Sequence, residues 1–209
     1  MAAKSITLKC LHLQHHHLQS PMPTAQQIAD EIFDLYAKYG RADYIGEPVS
    51  QIEHMAQAAQ CAQQEGFDDE VVLAAFFHDI GHICVNEEQY KNMGGFGNQE
   101  HEKVGAEFLR QRGFSESLCQ MVGNHVIAKR YLTYKNPDYY AKLSEASKET
   151  LRYQGGPMSA EEAAEFEQDP LFTASIKLRE WDELAKEEHK PLPDLEVYKQ
   201  MAIRALSSN

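Results

Sequence analysis

The sequence predicts an all-α fold. Apolar residues recur at helical spacing through most of the chain, helix start and stop residues punctuate those stretches, and nowhere do Val, Ile or Thr alternate with polar residues for long enough to demand a sheet. Residues 1–23 lack a clear amphipathic period, carry the run His15, His16, His17, and end in Pro21-Met22-Pro23, which disfavours helix. They read as a flexible N-terminal tail ahead of one domain over 24–209.

Thr24 is a good N-cap for a helix to about residue 38, with Ile28, Ile32, Leu35 and Tyr39 on one stripe and Gly40 at its end. A loop follows over 41–48, holding Tyr44, Gly46, Glu47 and Pro48. The second helix runs from about 50 to 65 and is closed by Gly66. A third extends from 69 to about 82 through the apolar run 71–77 and stops at Gly81. The glycines of 93–97 make a flexible loop before a helix over about 98–112, ended by Gly113. Another helix spans 115 to about 131, and one over about 141–151 follows a turn at Asn136-Pro137. Gly155-Gly156-Pro157 breaks the chain before Ser159 caps a helix from 160 to about 168, whose first turn Glu161 and Glu162 favour. Two last helices cover about 171–186 and 195–207.

With 209 residues the chain is long enough to bury a core without a disulfide framework, and its 43% hydrophobic and 25% charged residues are those of an ordinary folded domain. Thirty-two acidic residues against 20 Lys and Arg give a net charge of −12, which argues against general affinity for nucleic acid or anionic membrane and for a small-molecule partner. Cys10, Cys61, Cys84 and Cys119 fall in no metal-ligand spacing and read as reduced thiols. No apolar run approaches the length of a membrane span or a signal peptide core, so the expectation is a cytoplasmic protein.

The chemistry concentrates in histidines and aspartates. His78-Asp79 ends an apolar helix, where a carboxylate is costly unless a cation compensates it. His54 precedes His78 by 24 residues, His101 and His125 are a second pair 24 apart, and Asp182 lies far along the chain. That is more than one tetrahedral ion needs and enough for two, with an aspartate able to bridge them. Mixed imidazole and carboxylate ligation suits iron, manganese or zinc. His82, at i+4 from His78, is expected to face the same way. Lys129 is i+4 from His125 and Arg179 is i−3 from Asp182, so two cations stand near the metals, as a pocket for a compact dianion requires. Glu47 offers the opposite charge for an ammonium group. Trp181 reads as packing, Glu53 as a surface charge, and 183–190 as a salt-bridged surface.

These residues resemble the HD-domain superfamily. His54, His78-Asp79 and Asp182 reproduce its H…HD…D ligand pattern, and the added His101 and His125 resemble members that hold two metals. Most such proteins are phosphohydrolases. The block Tyr44-x-x-Glu47, Gln51, His54, with His78-Asp79-Ile80-Gly81-His82, His101, His125-x-x-x-Lys129, Ser147 and Arg179-x-x-Asp182, is similar to a smaller branch, the mixed-valent di-iron oxygenases. The member type it resembles is the glycine-forming 2-amino-1-hydroxyethylphosphonate dioxygenases. The resemblance implies an α-helical HD bundle holding two iron ions in a mixed-valent Fe(II)/Fe(III) pair, with O2 as co-substrate. One iron would be held by His54, His78, Asp79 and Asp182 and the other by Asp79, His101 and His125. It further implies that Tyr44 covers an iron position until substrate arrives, that Glu47 reads the substrate amine, and that His82, Lys129, Ser147 and Arg179 contact the phosphonate. The implied reaction is O2-dependent cleavage of the carbon–phosphorus bond to glycine and phosphate. An oxygenase for the N-trimethylated analogue and a metal-dependent phosphohydrolase are the alternatives.

Overall fold

The structure, a computed structural model, describes residues 22–44, 46–84, 93–95 and 99–208. Among these it holds ten α-helices and one 3-10 turn and no strand, so the all-α expectation stands; an isolated bridge joins Asp43 to Ser50. The helices are α1 (Ala25–Tyr39), α2 (Gln51–Gln64), α3 (Asp69–Phe77), α4 (His101–Arg110), α5 (Glu116–Lys135), α6 (Pro137–Lys142), α7 (Glu145–Tyr153), α8 (Ala160–Phe166), α9 (Phe172–Leu184) and α10 (Glu196–Ser207). Among the described residues no helix is long and apolar enough to cross a membrane. The histidine run, Cys10 and nearly all of the expected tail lie outside the described residues.

Helix starts follow local chemistry. Thr24 and Gln27 form a reciprocal capping box at α1, and Ser50 and Glu53 form another at α2, so Glu53 caps a helix instead of standing as a surface charge. The buried face of α1 is Ala29, Ile32, Phe33 and Tyr36; of the stripe the sequence suggested, Ile32 is buried, Ile28 and Leu35 are partly buried and Tyr39 lies exposed. Asn136 is an N-cap with Pro137 at the first helical position, the arrangement that starts helices, so the expected turn opens the short α6. A single helix over about 141–151 is accordingly split, with Ser144 capping α7 separately.

At the centre lies α3, whose residues Leu73, Ala74, Ala75, Phe76 and Phe77 are fully buried. An all-round apolar helix must be covered on every side, and α2, α5, α9 and α10 cover it. Ala56, Ala58, Ala59 and Ala62 let α2 approach both α3 and α9 closely. Aromatic rings from three helices meet here: Phe76 stacks on Phe33 of α1 and on Tyr198 of α10. Trp181 is fully buried against Phe67 and donates its indole N–H to Glu65, a packing role as expected.

The third helix was expected to reach about residue 82 but stops at Phe77. Asp79 leaves helical geometry (φ −103°, ψ 12°) and residues 80–82 form a 3-10 turn. The cause is contact with α4. A β-carbon on Gly81 would lie 1.9 Å from the His101 carbonyl oxygen, so the chain is pressed against the start of α4 as only glycine allows. This break turns Asp79 out of register with α3.

Candidate metal centre

Five elements converge on one buried cluster. His54 comes from the middle of α2, His78 and Asp79 from the end of α3, His101 from the first turn of α4, His125 from the middle of α5 and Asp182 from α9. All six are buried. His54 Nε2 stands 3.0 Å from His78 Nε2, and His101 Nε2 stands 3.0 Å from His125 Nε2. Asp79 lies between the two pairs. Its Oδ2 is 3.6 Å from His54 Nε2 and 3.4 Å from His78 Nε2, while its Oδ1 is 3.3 Å from His101 Nε2 and 3.4 Å from His125 Nε2. Asp182 Oδ1 joins the first pair, 3.3 Å from His54 Nε2.

The far sides of three rings explain what these nitrogens are for. His54 Nδ1 lies 2.9 Å from the Ala185 carbonyl, His78 Nδ1 2.8 Å from that of Ala75, and His125 Nδ1 2.7 Å from that of Val122. A carbonyl only accepts, so each Nδ1 carries the proton and each Nε2 of a neutral ring offers a lone pair to the cluster. Facing lone pairs at 3.0 Å repel unless a cation lies with them. Asp182 Oδ1 is likewise buried and accepts no hydrogen bond. Converging lone pairs and an orphaned carboxylate oxygen fit divalent or trivalent cations, and the Nδ1–H bonds that orient His54, His78 and His125 are already made.

Without a metal, a proton serves. Burial disfavours a charged His78, but Asp79 and Asp182 outweigh it and push the ring up to about 9, whereas burial drives His125 down to about 3. Burial also opposes ionised Asp79, yet His78 and His101 hold its carboxyl well below the usual range. Asp182 is held down by Arg179 in the same way.

His82 departs from its expected position. Because the helix breaks before it, the i+4 relation to His78 is lost and the ring stacks on His101, with centroids 4.1 Å apart. Donor atoms of Asp79, His82 and His101 lie within 4.8 Å of one another, as do those of His54, His78 and Asp182, so His82 is near enough to bind a cation itself.

The cluster opens into a cavity of about 920 Å³ whose wall includes Tyr44, Glu47, Gln51, His82, Lys129, Ser147 and Arg179. Tyr44 and Glu47 are the ends of a turn: Glu47 N–H donates to the Tyr44 carbonyl at 2.9 Å, with Gly46 at φ +85°. The Tyr44 ring stacks on His54 at 4.1 Å, and burial beside Asp79 raises its phenol well above the ordinary value. Lys129 is 3% exposed and donates to Thr150 Oγ1 at 2.7 Å and Gln154 Oε1 at 3.1 Å. No carboxylate oxygen among the described residues lies within 4 Å of it, and burial, then Arg179, depresses its pKa well below the usual lysine value. Arg179 pairs with Asp182 and Glu183, and donates to Ser147 Oγ at 3.1 Å and to the Tyr139 hydroxyl at 2.8 Å.

The structure therefore gathers the sequence-selected site residues at one place: all but His54 and His78 line the cavity, and those two stand behind it in the cluster. It also adds residues that the sequence reading missed. Glu183 and Lys186, taken for surface, line the cavity, as do Thr150 and Gln154, while Tyr139 supports Arg179. Helical spacing carries a signal for the first two, since Glu183 is i+4 from Arg179 and Lys186 is i+4 from Asp182.

An α-helical bundle with histidine and aspartate donors gathered from five separate elements defines a metal-site protein of the H…HD…D kind. An HD-domain family profile matches residues 51–199, and the chain belongs to the HD-domain family. It is 44% identical over 184 residues to an uncharacterised protein of Acanthamoeba polyphaga mimivirus, covering 88% of this chain and 84% of that protein. It is 41% identical to the [1-hydroxy-2-(trimethylamino)ethyl]phosphonate dioxygenase (glycine-betaine-forming) of Leisingera caerulea, covering 80% of this chain and 84% of that one. A hydroxymethylphosphonate dioxygenase of Gimesia maris is 39% identical, covering 80% and 82%.

Proposed function

We propose that this chain is a di-iron phosphonate dioxygenase that cleaves the carbon–phosphorus bond of 2-amino-1-hydroxyethylphosphonate, giving glycine and phosphate. The observation that carries the reading is Asp79, which presents one oxygen to each histidine pair while Lys129 stands on the wall of the same cavity with no carboxylate within 4 Å among the described residues. Similarity to two proteins named phosphonate dioxygenases supports it. His54, His78, Asp79 and Asp182 would hold one ion, and Asp79, His101 and His125 the other. An iron pair, when bound, would supply the redox chemistry that O2 needs to oxidise the carbon bearing hydroxyl and phosphorus. Glycine plus phosphate contains every atom of the substrate plus one O2, so no further reductant is required.

The chain's own residues do the rest. Lys129 has no carboxylate oxygen within 4 Å among the described residues and, with Arg179 and Ser147, offers donors to phosphonate oxygens. Glu47 carries negative charge to the amine end, and Gln51 Oε1, buried on the cavity wall, accepts no hydrogen bond, so both suit an N–H donor. Tyr44 covers the His54 side of the cluster and swings away as substrate arrives.

The test is oxygen uptake by iron-loaded protein with this phosphonate, with phosphate release followed with and without air. Oxygen-dependent release of glycine and phosphate supports the proposal. Turnover of only the N-trimethylated compound, giving glycine betaine, would reassign the substrate, and phosphate-ester hydrolysis without oxygen would make the protein a phosphohydrolase.

A further inference from the structure

One oxygen of the Glu47 carboxylate is already occupied. Its Oε1 accepts from Lys186 Nζ at 2.9 Å and from the Ser144 hydroxyl at 2.5 Å. Lys186 also reaches Glu183 Oε2 at 3.1 Å, and Glu183 in turn pairs with Arg179. Glu47 and Lys186 are only 8% and 16% exposed, and both line the cavity. Lys186 lies two residues past α9, where its N–H donates to the Leu184 carbonyl and the neighbouring Ala185 carbonyl accepts from His54. Its backbone is therefore fixed from the metal side.

We propose that Lys186 determines specificity at the amine end of the cavity. Its ammonium fills Oε1 of Glu47 and offsets the charge of that carboxylate, so the ammonium of an amine-bearing phosphonate competes with it for Glu47 and a phosphonate without an amine leaves it in place. The inference rests on the phosphonate reading above. A carboxylate oxygen has two lone-pair sites, and Lys186 and Ser144 fill both on Oε1. A primary ammonium can replace Lys186 because it brings the same charge and the same N–H donors. A quaternary ammonium brings the charge without donors and replaces it poorly. Displacement does not strand Lys186, since Glu183 remains as its partner.

Anaerobic calorimetry of the iron-loaded protein tests this without turnover. Wild type, Lys186→Met and Lys186→Arg are titrated with 2-amino-1-hydroxyethylphosphonate and with hydroxymethylphosphonate. Lys186→Met is expected to tighten the amine compound about fivefold, the worth of a partly exposed ion pair, while hydroxymethylphosphonate changes less than about twofold. In Lys186→Arg the wild-type selectivity is retained. Under air, the ratio of kcat/KM for the two substrates should move with the affinities. Equal changes for both compounds mean a merely structural role and overturn the proposal, as does selective weakening of the amine compound. Lys186→Gln carries the same expectation should the Met variant not fold. If wild type binds neither phosphonate, the proposed function falls and this inference with it; if wild type binds both and only the selectivity shift is absent, Lys186 alone is misassigned.

Discussion

Lys129→Met separates stability from binding, because it should move them in opposite directions. The ammonium is buried with two neutral acceptors and no carboxylate within 4 Å among the described residues, so folding removes it from water without a counter-charge. Methionine has nearly the same length. Its loss of two neutral hydrogen bonds costs about 1 kcal/mol each, against a buried-charge penalty of several kcal/mol. Little is left stranded: Thr150 Oγ1 still donates to the Ser147 carbonyl at 3.1 Å, and Gln154 is half-buried where water reaches it. The variant should therefore be between equally stable and about 2 kcal/mol more stable, a rise in Tm of about 0–6 °C. Phosphonate affinity should fall by about 1.5–3 kcal/mol, the worth of a hydrogen bond to a charged group, or roughly 10- to 150-fold in Kd. The pH dependence fixes the mechanism. The folded pKa of Lys129 lies below its unfolded value of about 10.4, so between the two the unfolded chain binds more protons and wild-type stability rises with pH. The advantage of the variant is accordingly greatest below the folded pKa and shrinks as pH climbs toward about 10. Chemical denaturation across pH, with calorimetry for the ligand, reads all of this. A Tm lowered by more than about 5 °C with unchanged affinity would refute it, making Lys129 a structural residue.

Other expectations concern the cluster. Chelation should lower Tm by about 5–10 °C, because an ion held at about 100 times its Kd contributes roughly 2.7 kcal/mol, and Fe(II) should restore it in a thermal-shift assay. Asp79→Asn should lose both ions and His101→Ala one, read by elemental analysis; two ions retained with full activity in His101→Ala would remove the two-metal assignment. Gly81→Ala puts a β-carbon 1.9 Å from the His101 carbonyl oxygen, a backbone atom that cannot rotate away, so it should cost about 3 kcal/mol and displace the start of α4, with lowered metal content as the second readout.

The fold class and the cluster were legible because both are written in short-range chemistry. Thr24, Ser50 and Ser159 cap helices wherever they stand, and His78-Asp79 beside an all-apolar run is costly without a cation in any fold. What failed depends on partners distant in sequence. The end of α3 is set by the His101 carbonyl against Gly81, so helical spacing misplaced His82. Glu183 and Lys186 read as surface because charges at i+3 and i+4 are usually solvated. They are half-shielded here because Glu47, more than 130 residues earlier, folds back onto Lys186, and Ser147 and Arg179 meet Glu183. Likewise, nothing local marks Tyr139 as the acceptor for Arg179.

The anchors of the histidines would couple bound metal to the cavity wall proposed to bind the phosphonate. His78 and His125 each lean on a carbonyl three residues back along the chain, an orientation set locally. His54 leans instead on Ala185, 131 residues away, directly after the helix that carries Arg179, Asp182 and Glu183 and directly before Lys186. Asp182 shows one oxygen to His54 and gives the other to Arg179. A cation that draws in His54 and Asp182 therefore holds the end of α9 and aims Arg179 into the cavity. Coupling of this kind is reciprocal. Phosphonate bound on Arg179 and Lys129 should tighten metal binding by the same factor as metal loading improves phosphonate affinity. Equilibrium competition for metal against a chelator of known affinity, with and without ligand, beside calorimetry on metal-loaded and metal-free protein, measures both sides. A ligand that binds equally well with and without metal would mean that Arg179 is set by Tyr139 and Ser147 alone, with Asp182 a ligand and nothing more.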